Sequence, residues 1–224
     1  MLSERLLQFS VLGVEWVLWL LIGLSVISLG VVVDRLMLFW RTRERLDRLE
    51  PELMSALQAG DLAAARRKVD ADSLVRNVIR AGLDQIVGGK RERGSVEQAM
   101  LGAMARERAR FEARLTPLGT IGNNAPFVGL FGTVLGIIQA FQELGKMDST
   151  QAASNQVVMG AIGEALVATA VGILVAIPAV AAFNWAKASI AARLKQAESL
   201  MGAVLSGLSE ADCPEPAADG AAGN

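Results

Sequence analysis

Glu164 is a carboxylate in a stretch of chain that carries no other charge. Ala165 to Ala186 is 22 residues without charge on its C-terminal side, and Ser149 to Gly163 is uncharged on the other. An ionised carboxylate in hydrocarbon costs about 2.5–3.5 kcal/mol on insertion scales. A residue kept at that cost lines an ion path, binds a partner or stays protonated. Polar side chains within the two later apolar segments include Thr133, Thr169 and Asn184. A membrane threonine usually bonds back to its own helix. Together with a buried carboxylate, two hydroxyls could also form a polar strip. On an ideal helix Glu164 and Thr169 stand about 140° apart. They do not both face one axis, so one can face a path while the other faces a neighbouring helix.

Other chemistries find little support. The chain has no His and no Tyr, which removes imidazole acid–base chemistry and His metal sites. Cys213 is the single cysteine and lies in the tail ADCPEPAADGAAGN, so neither an internal disulfide nor a cysteine-based zinc site can form. The acidic residues show no ligand-like clustering. GLDQIVGGKR looks like a phosphate loop, but Gly82 to Lys90 does not keep the G-x-x-x-x-G-K spacing. Arg91 also stands where Ser or Thr should hold magnesium, and no strand precedes it. No catalytic residue, bound cofactor or metal is expected. Net charge is −1, so there is no basic field for nucleic acid.

The elements that must position Glu164 are membrane helices. The chain of 224 residues is 52% hydrophobic, with mean hydropathy +0.39. A bilayer span needs about 20 apolar residues. Trp16 to Val33 gives 18 uncharged residues, continued past Asp34-Arg35 by Leu36-Met37-Leu38-Phe39-Trp40. Leu115 to Gln142 gives 28, and the third span runs from about Val157 to Ala186. The first is not expected to be a signal peptide: its apolar run is too long and its positive charge follows it. Of the 22 Lys and Arg residues, 16 lie between Arg41 and Arg114. Lys187, Arg193 and Lys195 follow the third span, whereas Glu143 to Gln156 holds only Lys146 and the N-terminus only Arg5. The positive-inside rule puts the region between the first two spans, and the C-terminal tail, in the cytoplasm.

That region reads as helical throughout. PELMSALQAGDLAAARRKV predicts two short helices broken at Gly60-Asp61, with Asp61 as N-cap. SLVRNVIRAGLDQIV carries a helical apolar stripe at Leu74, Val75, Val78, Ile79, Leu83 and Ile86. Gly88-Gly89 breaks the chain. Ser95 with Gln98 fits a capping box for a third helix that leads directly into span two. Its charges (Arg106, Glu107, Arg108, Arg110, Glu112, Arg114) suit a solvated face, or a dock for anionic lipid heads or a cytoplasmic partner.

Small residues mark the later spans. Gly129, Gly132 and Gly136 recur at three- and four-residue spacing, and Ala161, Ala165, Ala168, Gly172 and Ala176 repeat the theme. Such spacing lets helices approach closely in lipid. It serves either packing within one subunit or a bundle of several subunits. Two such faces on a three-span chain favour the second. Pro178 is expected to distort the lower part of span three.

APFVGLFGTVLGIIQAF followed by GAIGEALVATAVGILVAIPAVAAFN resembles the ExbB/TolQ branch of the MotA/TolQ/ExbB ion-channel family. Pro126, the Gly-Leu-Phe-Gly-Thr-Val run, Glu164-Ala165-Leu166, Ala168-Thr169 and Ala176-Ile177-Pro178-Ala179 fall in order, and AGDLAAA matches in the cytoplasmic region. Asn123-Asn124 is more polar than the family pattern. The resemblance implies an all-α membrane protein with three transmembrane helices, long helices extending into a helical cytoplasmic domain, and a homopentamer. It implies a bacterial inner-membrane motor subunit driven by ions, usually protons. The work done falls on periplasmic or outer-membrane machinery. The partner implied is a dimer of a single-span ExbD/TolR-like protein with an ion-path aspartate. Carried over residue by residue, Glu164, Thr133 and Thr169 form the ion pathway, and Gly129, Gly132, Gly136, Gly172, Pro126 and Pro178 shape the helix packing. The expected segments are 1–44 (N-terminal periplasmic segment and first membrane helix), 45–116 (cytoplasmic domain) and 117–142 (second membrane helix). They continue with 143–156 (periplasmic loop), 157–187 (third membrane helix) and 188–224 (cytoplasmic helix end and disordered tail). A membrane scaffold that uses Glu164 only as an assembly contact is the alternative. A solute carrier is weakened by three spans without inverted repeats.

Overall fold

Seven helices account for the regular structure of the described residues. A computed structural model describes residues 14–42, 46–89, 92–145 and 154–211. The helices are α1 (Glu15–Arg41), α2 (Leu46–Gln58), α3 (Leu62–Lys68), α4 (Leu74–Val87), α5 (Arg93–Glu112), α6 (Leu115–Gly145) and α7 (Ser154–Ala211). Three of them, α1, α6 and α7, are long and apolar enough to cross a membrane. A helix satisfies its backbone bonds internally, which is what hydrocarbon requires. Arg5, Lys90, Arg91, Lys146 and Cys213, and with them the N-terminal segment, most of the 143–156 loop and the tail from 212, lie outside the described residues.

The chain divides into two units. The first takes the described residues up to 37 with Arg114–Ala186. The second takes Leu38–Ala113 with the chain from Lys187 onward.

In the first unit, Val14 just before α1 and Val17, Leu21, Ser28 and Arg35 on it turn inward, positions three, four or seven apart. That spacing makes one helix stripe. Val17 and Leu21 join Ile121, Ala125, Leu135, Val175 and Ala176 in a common core. Trp16 meets Phe131 edge-on at 6.2 Å between ring centroids. Arg35, on the buried stripe, pairs with Asp34 at 2.7 Å, and Arg114 reaches the same carboxylate at 3.3 Å. On α7 the inward residues are mostly small (Ala165, Ala168, Ala176 and Ala179, with Val175), while Leu174 is 71% exposed and Ile177 64%. Small inside and large outside is the order expected of a helix set among apolar surroundings.

The second unit is built as a soluble bundle is. The α4 stripe (Leu74, Val75, Val78, Ile79, Leu83, Ile86) is buried as its spacing predicts, against α5 with Val96, Met100 and Ala103. Asp61 caps α3 by accepting from the Ala64 amide at 2.8 Å, and Ser73 caps α4 through the Arg76 amide. Gly88 closes α4, and Gly89 follows with φ +84°, a conformation glycine adopts freely. The open carbonyls after α3 are taken by arginines of α4. Arg76 donates to Lys68 O at 3.0 Å and Arg80 to Val69 O at 2.6 Å. Arg110 on α5 grips Asp72 with both terminal nitrogens, at 2.9 and 2.7 Å. The Arg110 hydrogen bonds, then that from Asn77, hold the Asp72 carboxyl well below the usual carboxylate range.

Two expectations change. Ser95 does not cap α5: the helix already starts at Arg93, after Glu92 in the cap position, and no side chain bonds the open amides there. Arg93 and Gly94 extend the helix by one half-turn and leave Ser95 inside the first turn. The third helix does not run straight into span two either. Ala113 and Arg114 interrupt it, and Arg114 has φ 62°, a left-handed conformation that ends α5 before Leu115 opens α6. The chain after span three stays helical to Ala211. Its reason is a buried row at Ile190, Ala197, Leu200 and Val204, with half-buried Arg193 in register. Pro178 leaves α7 unbroken.

Candidate functional site

The first unit's two longest helices meet backbone to backbone. A methyl group built on Gly129 of α6 would lie 2.7 Å from the Ala168 carbonyl oxygen and 3.0 Å from Thr169 Cα on α7. One built on Gly172 would lie 2.7 Å from Ala125 O. Gly136 faces Ala165 and Val14, and Gly132 faces Ala168 and Val17. The glycines thus sit between α6, α7 and α1 of one protomer. The small-residue faces expected to join subunits are occupied within the subunit, because two helices this close leave no room for a third backbone. Gly119 and Gly122 continue the same seam against Phe183 and Val180. The sequence reading missed both, although Gly119, Gly122, Ala125 and Gly129 keep the three- and four-residue spacing.

This close approach brings two hydroxyls together. Thr133 Oγ1 and Thr169 Oγ1 lie 2.9 Å apart. Thr133 also reaches Leu130 O at 2.7 Å on its own helix, and Thr169 reaches Gly129 O at 3.1 Å across the seam. Each hydroxyl has a single proton to donate. Three contacts therefore share two protons. With the hydroxyl–hydroxyl bond made, either Thr133 serves Leu130 while Thr169 serves Thr133, or Thr169 serves Gly129 while Thr133 serves Thr169. The two patterns interconvert by rotating hydroxyls, without moving a heavy atom. Thr133 follows the usual back-bonding habit, whereas Thr169 does not. Its acceptor is reachable only because residue 129 has no side chain.

Glu164 is not part of that pair. It is on the exposed side of α7, next to buried Ala165. Five residues of helix separate it from Thr169, about 7.5 Å of axial rise. Among the described residues no hydrogen-bond or ionic partner reaches its carboxylate. The surroundings are open: a methyl group on Gly160 or Gly163 would meet nothing within 4 Å. Asn184 is likewise exposed. Asn124 turns its amide back to Thr120 O at 2.8 Å, so this part of the polarity before Pro126 is bonded within α6.

Among the described residues no group of His, Cys, Asp and Glu is arranged to hold a metal ion. Among the described residues the buried indole N–H of Trp16 has no hydrogen-bond partner.

The geometry is a lone acidic group on the exposed side of the apolar stretch of α7, and a separate hydroxyl pair held inside a tight seam. Residues 70–199 match the MotA/TolQ/ExbB proton channel family. The chain is 35% identical to the Tol-Pal system protein TolQ of Pseudomonas aeruginosa over 180 residues, 76% of this chain and 77% of that one. It is 33% identical to the biopolymer transport protein ExbB of Xanthomonas campestris over 187 residues, 77% of this chain and 73% of that one. The biopolymer transport protein ExbB of Salmonella typhimurium is 33% identical over 191 residues, 79% of this chain and 74% of that protein.

Proposed function

Since this chain belongs to the MotA/TolQ/ExbB proton channel family, we propose that it is an inner-membrane subunit of a proton-driven motor. In this reading ion flow through the membrane does mechanical work on periplasmic or outer-membrane machinery. The observation that carries the reading is Glu164, a carboxylate facing away from its own protomer on an apolar helix. A position facing lipid charges it about 2.5–3.5 kcal/mol when ionised. Oligomerisation, together with a partner helix, removes that cost and gives the proton somewhere to go.

The open face around Gly160 and Gly163 suits the approach of another helix. That helix belongs to a single-span ExbD/TolR-like dimer enclosed by a homopentamer of this chain, and it supplies an aspartate. The ion passes between the aspartate and Glu164. Thr133 and Thr169 extend the polar path into the seam, their two interchangeable bonding patterns letting a proton position shift without helix movement.

The charge pattern supports one orientation. The second unit, with its arginines, faces the cytoplasm; the N-terminus and the loop before α7 face the periplasm. Cysteine labelling from outside checks this. Asp148→Cys reacts and Lys90→Cys does not, and strong external labelling at position 90 reverses the assignment. The function itself is tested by proton uptake into vesicles holding the chain with and without its single-span partner. Uptake that requires the partner supports the motor. A stable complex that never conducts leaves the membrane scaffold, with Glu164 as an assembly contact.

A further inference from the structure

The end of α1 is closed by a side chain from another helix. The last carbonyls of a helix have no partner within it. Phe39 O is one of these, since α1 stops at Arg41. Arg193 of α7 donates to it at 3.2 Å, and to Thr42 Oγ1 at 2.8 Å. Thr42 spends its own proton on Leu38 O at 2.7 Å, which leaves its oxygen as an acceptor for the donor-only guanidinium. The guanidinium carbon lies 4.8 Å from the centre of the Phe39 ring and 5.6 Å from that of Phe111. Both distances fall within cation–π range. The two rings are themselves 5.8 Å apart, and Phe39, Thr42 and Phe111 are all buried.

Arg193 occupies the inward row of α7 that Ile190, Ala197 and Leu200 otherwise fill with apolar groups. A leucine there would pack as well and avoid desolvating a charge. What only an arginine supplies is a flat fork that bonds two oxygens while stacking on a ring. The positive charge also sits at the negative end of the α1 dipole. Arg193 therefore fixes one particular alignment of α1 against α7.

We propose that Arg193 is a positioning latch that locks the last turn of α1 to α7, so that the two helices move there as one body. Only the functional consequence rests on the motor reading: displacement of α7 during ion passage is handed to α1 through this contact.

The test measures the alignment directly. Spin labels are placed at exposed positions 40 and 195 (Trp40→Cys, Lys195→Cys, with Cys213→Ser) in the full chain. The labelled chain is diluted with unlabelled chain in lipid nanodiscs. Pulsed electron paramagnetic resonance then gives one narrow distance distribution for the intact latch. Arg193→Gln broadens it at least twofold. Arg193→Lys falls between, because an ammonium keeps the charge but loses the fork. Thr42→Val broadens it less than Arg193→Gln, and adds nothing in the Arg193→Gln background. An unchanged distribution in Arg193→Gln overturns the latch. If that variant does not fold, Arg193→Lys decides: a width equal to that of the unmodified chain is then the overturning result. Proton uptake measured on the same unmodified chain with its partner is a separate readout. Its absence removes the motor reading and leaves the distance result standing.

Discussion

Gly129 and Gly82 each lie in the middle of a helix pair, and what they face differs. Beside Gly129 is the backbone of α7, with Ala168 O 2.7 Å from where a methyl group would stand. Beside Gly82 is the flexible end of the Met100 side chain. In the apolar unit the helices touch through their backbones at Gly129 and Gly172, where nothing between them can give. In the charged unit side chains keep the helices apart, and the core is the apolar interlock of α4 with α5. Lipid offers little drive for apolar side chains to leave it, so close approach and hydroxyl bonds must hold the first pair. Water drives the second pair together by burial.

The comparison breaks most visibly at those two glycines. Gly129→Ala forces α6 and α7 apart and costs at least about 3 kcal/mol, the upper end of overpacking penalties. Gly82→Ala lets the Met100 thioether swing aside and costs about 1 kcal/mol or less. Thermal unfolding in nanodiscs, followed by circular dichroism, ranks them. Equal losses would mean that both seams yield alike.

Thr133→Val sharpens the same point at smaller scale. It removes the hydroxyl that meets Thr169 and leaves Thr169 its bond to Gly129 O. The expected loss is about 1 kcal/mol, the net value of one hydrogen bond, read in the same melts. A loss as large as that for Gly129→Ala would place the hydroxyls, not the backbones, at the centre of the seam.

The smallest effect belongs to the charged unit's surface. Asp72→Asn loses an exposed ion pair, and costs less than about 1 kcal/mol after solvent screening. Because the folded Asp72 carboxyl is held below its ordinary value, its contribution is complete above the unfolded value of about 3.9 and fades as pH falls from there through the lowered folded value. Unmodified chain and variant differ at pH 7 and converge in strong acid. A gap that widens toward acid would give the ion pair the opposite sign.

How much of this was legible in the sequence differs between the units too. The α4 stripe, the Asp61 cap and the Gly88-Gly89 break follow from periodicity and turn chemistry, which act within a few residues. The three apolar helices follow from length and hydropathy. The start of α5 was misread because Ser95 and Gln98 satisfy a capping pattern that the helix bypasses. The break at Arg114 was invisible, since no glycine marks its left-handed residue. The glycine spacing announced close packing but not its partner. A stripe of small residues is the same whether the helix it meets belongs to the same chain or to another copy. The pairing of Thr133 with Thr169 depends on the register between two helices, which no local pattern encodes. Glu164 was found by its isolation, and its exposed position agrees with the angle that separates it from Thr169.

In the proposed motor, proton passage depends on that carboxylate. Glu164→Gln keeps shape and hydrogen bonding but cannot exchange a proton. In vesicles holding the intact complex of this chain and its single-span partner, proton uptake by the Gln variant is predicted to fall to the level of empty vesicles. The oligomer is predicted to form unchanged, as judged by native mass spectrometry. Uptake equal to that of the unmodified complex would contradict the ion-path role of Glu164.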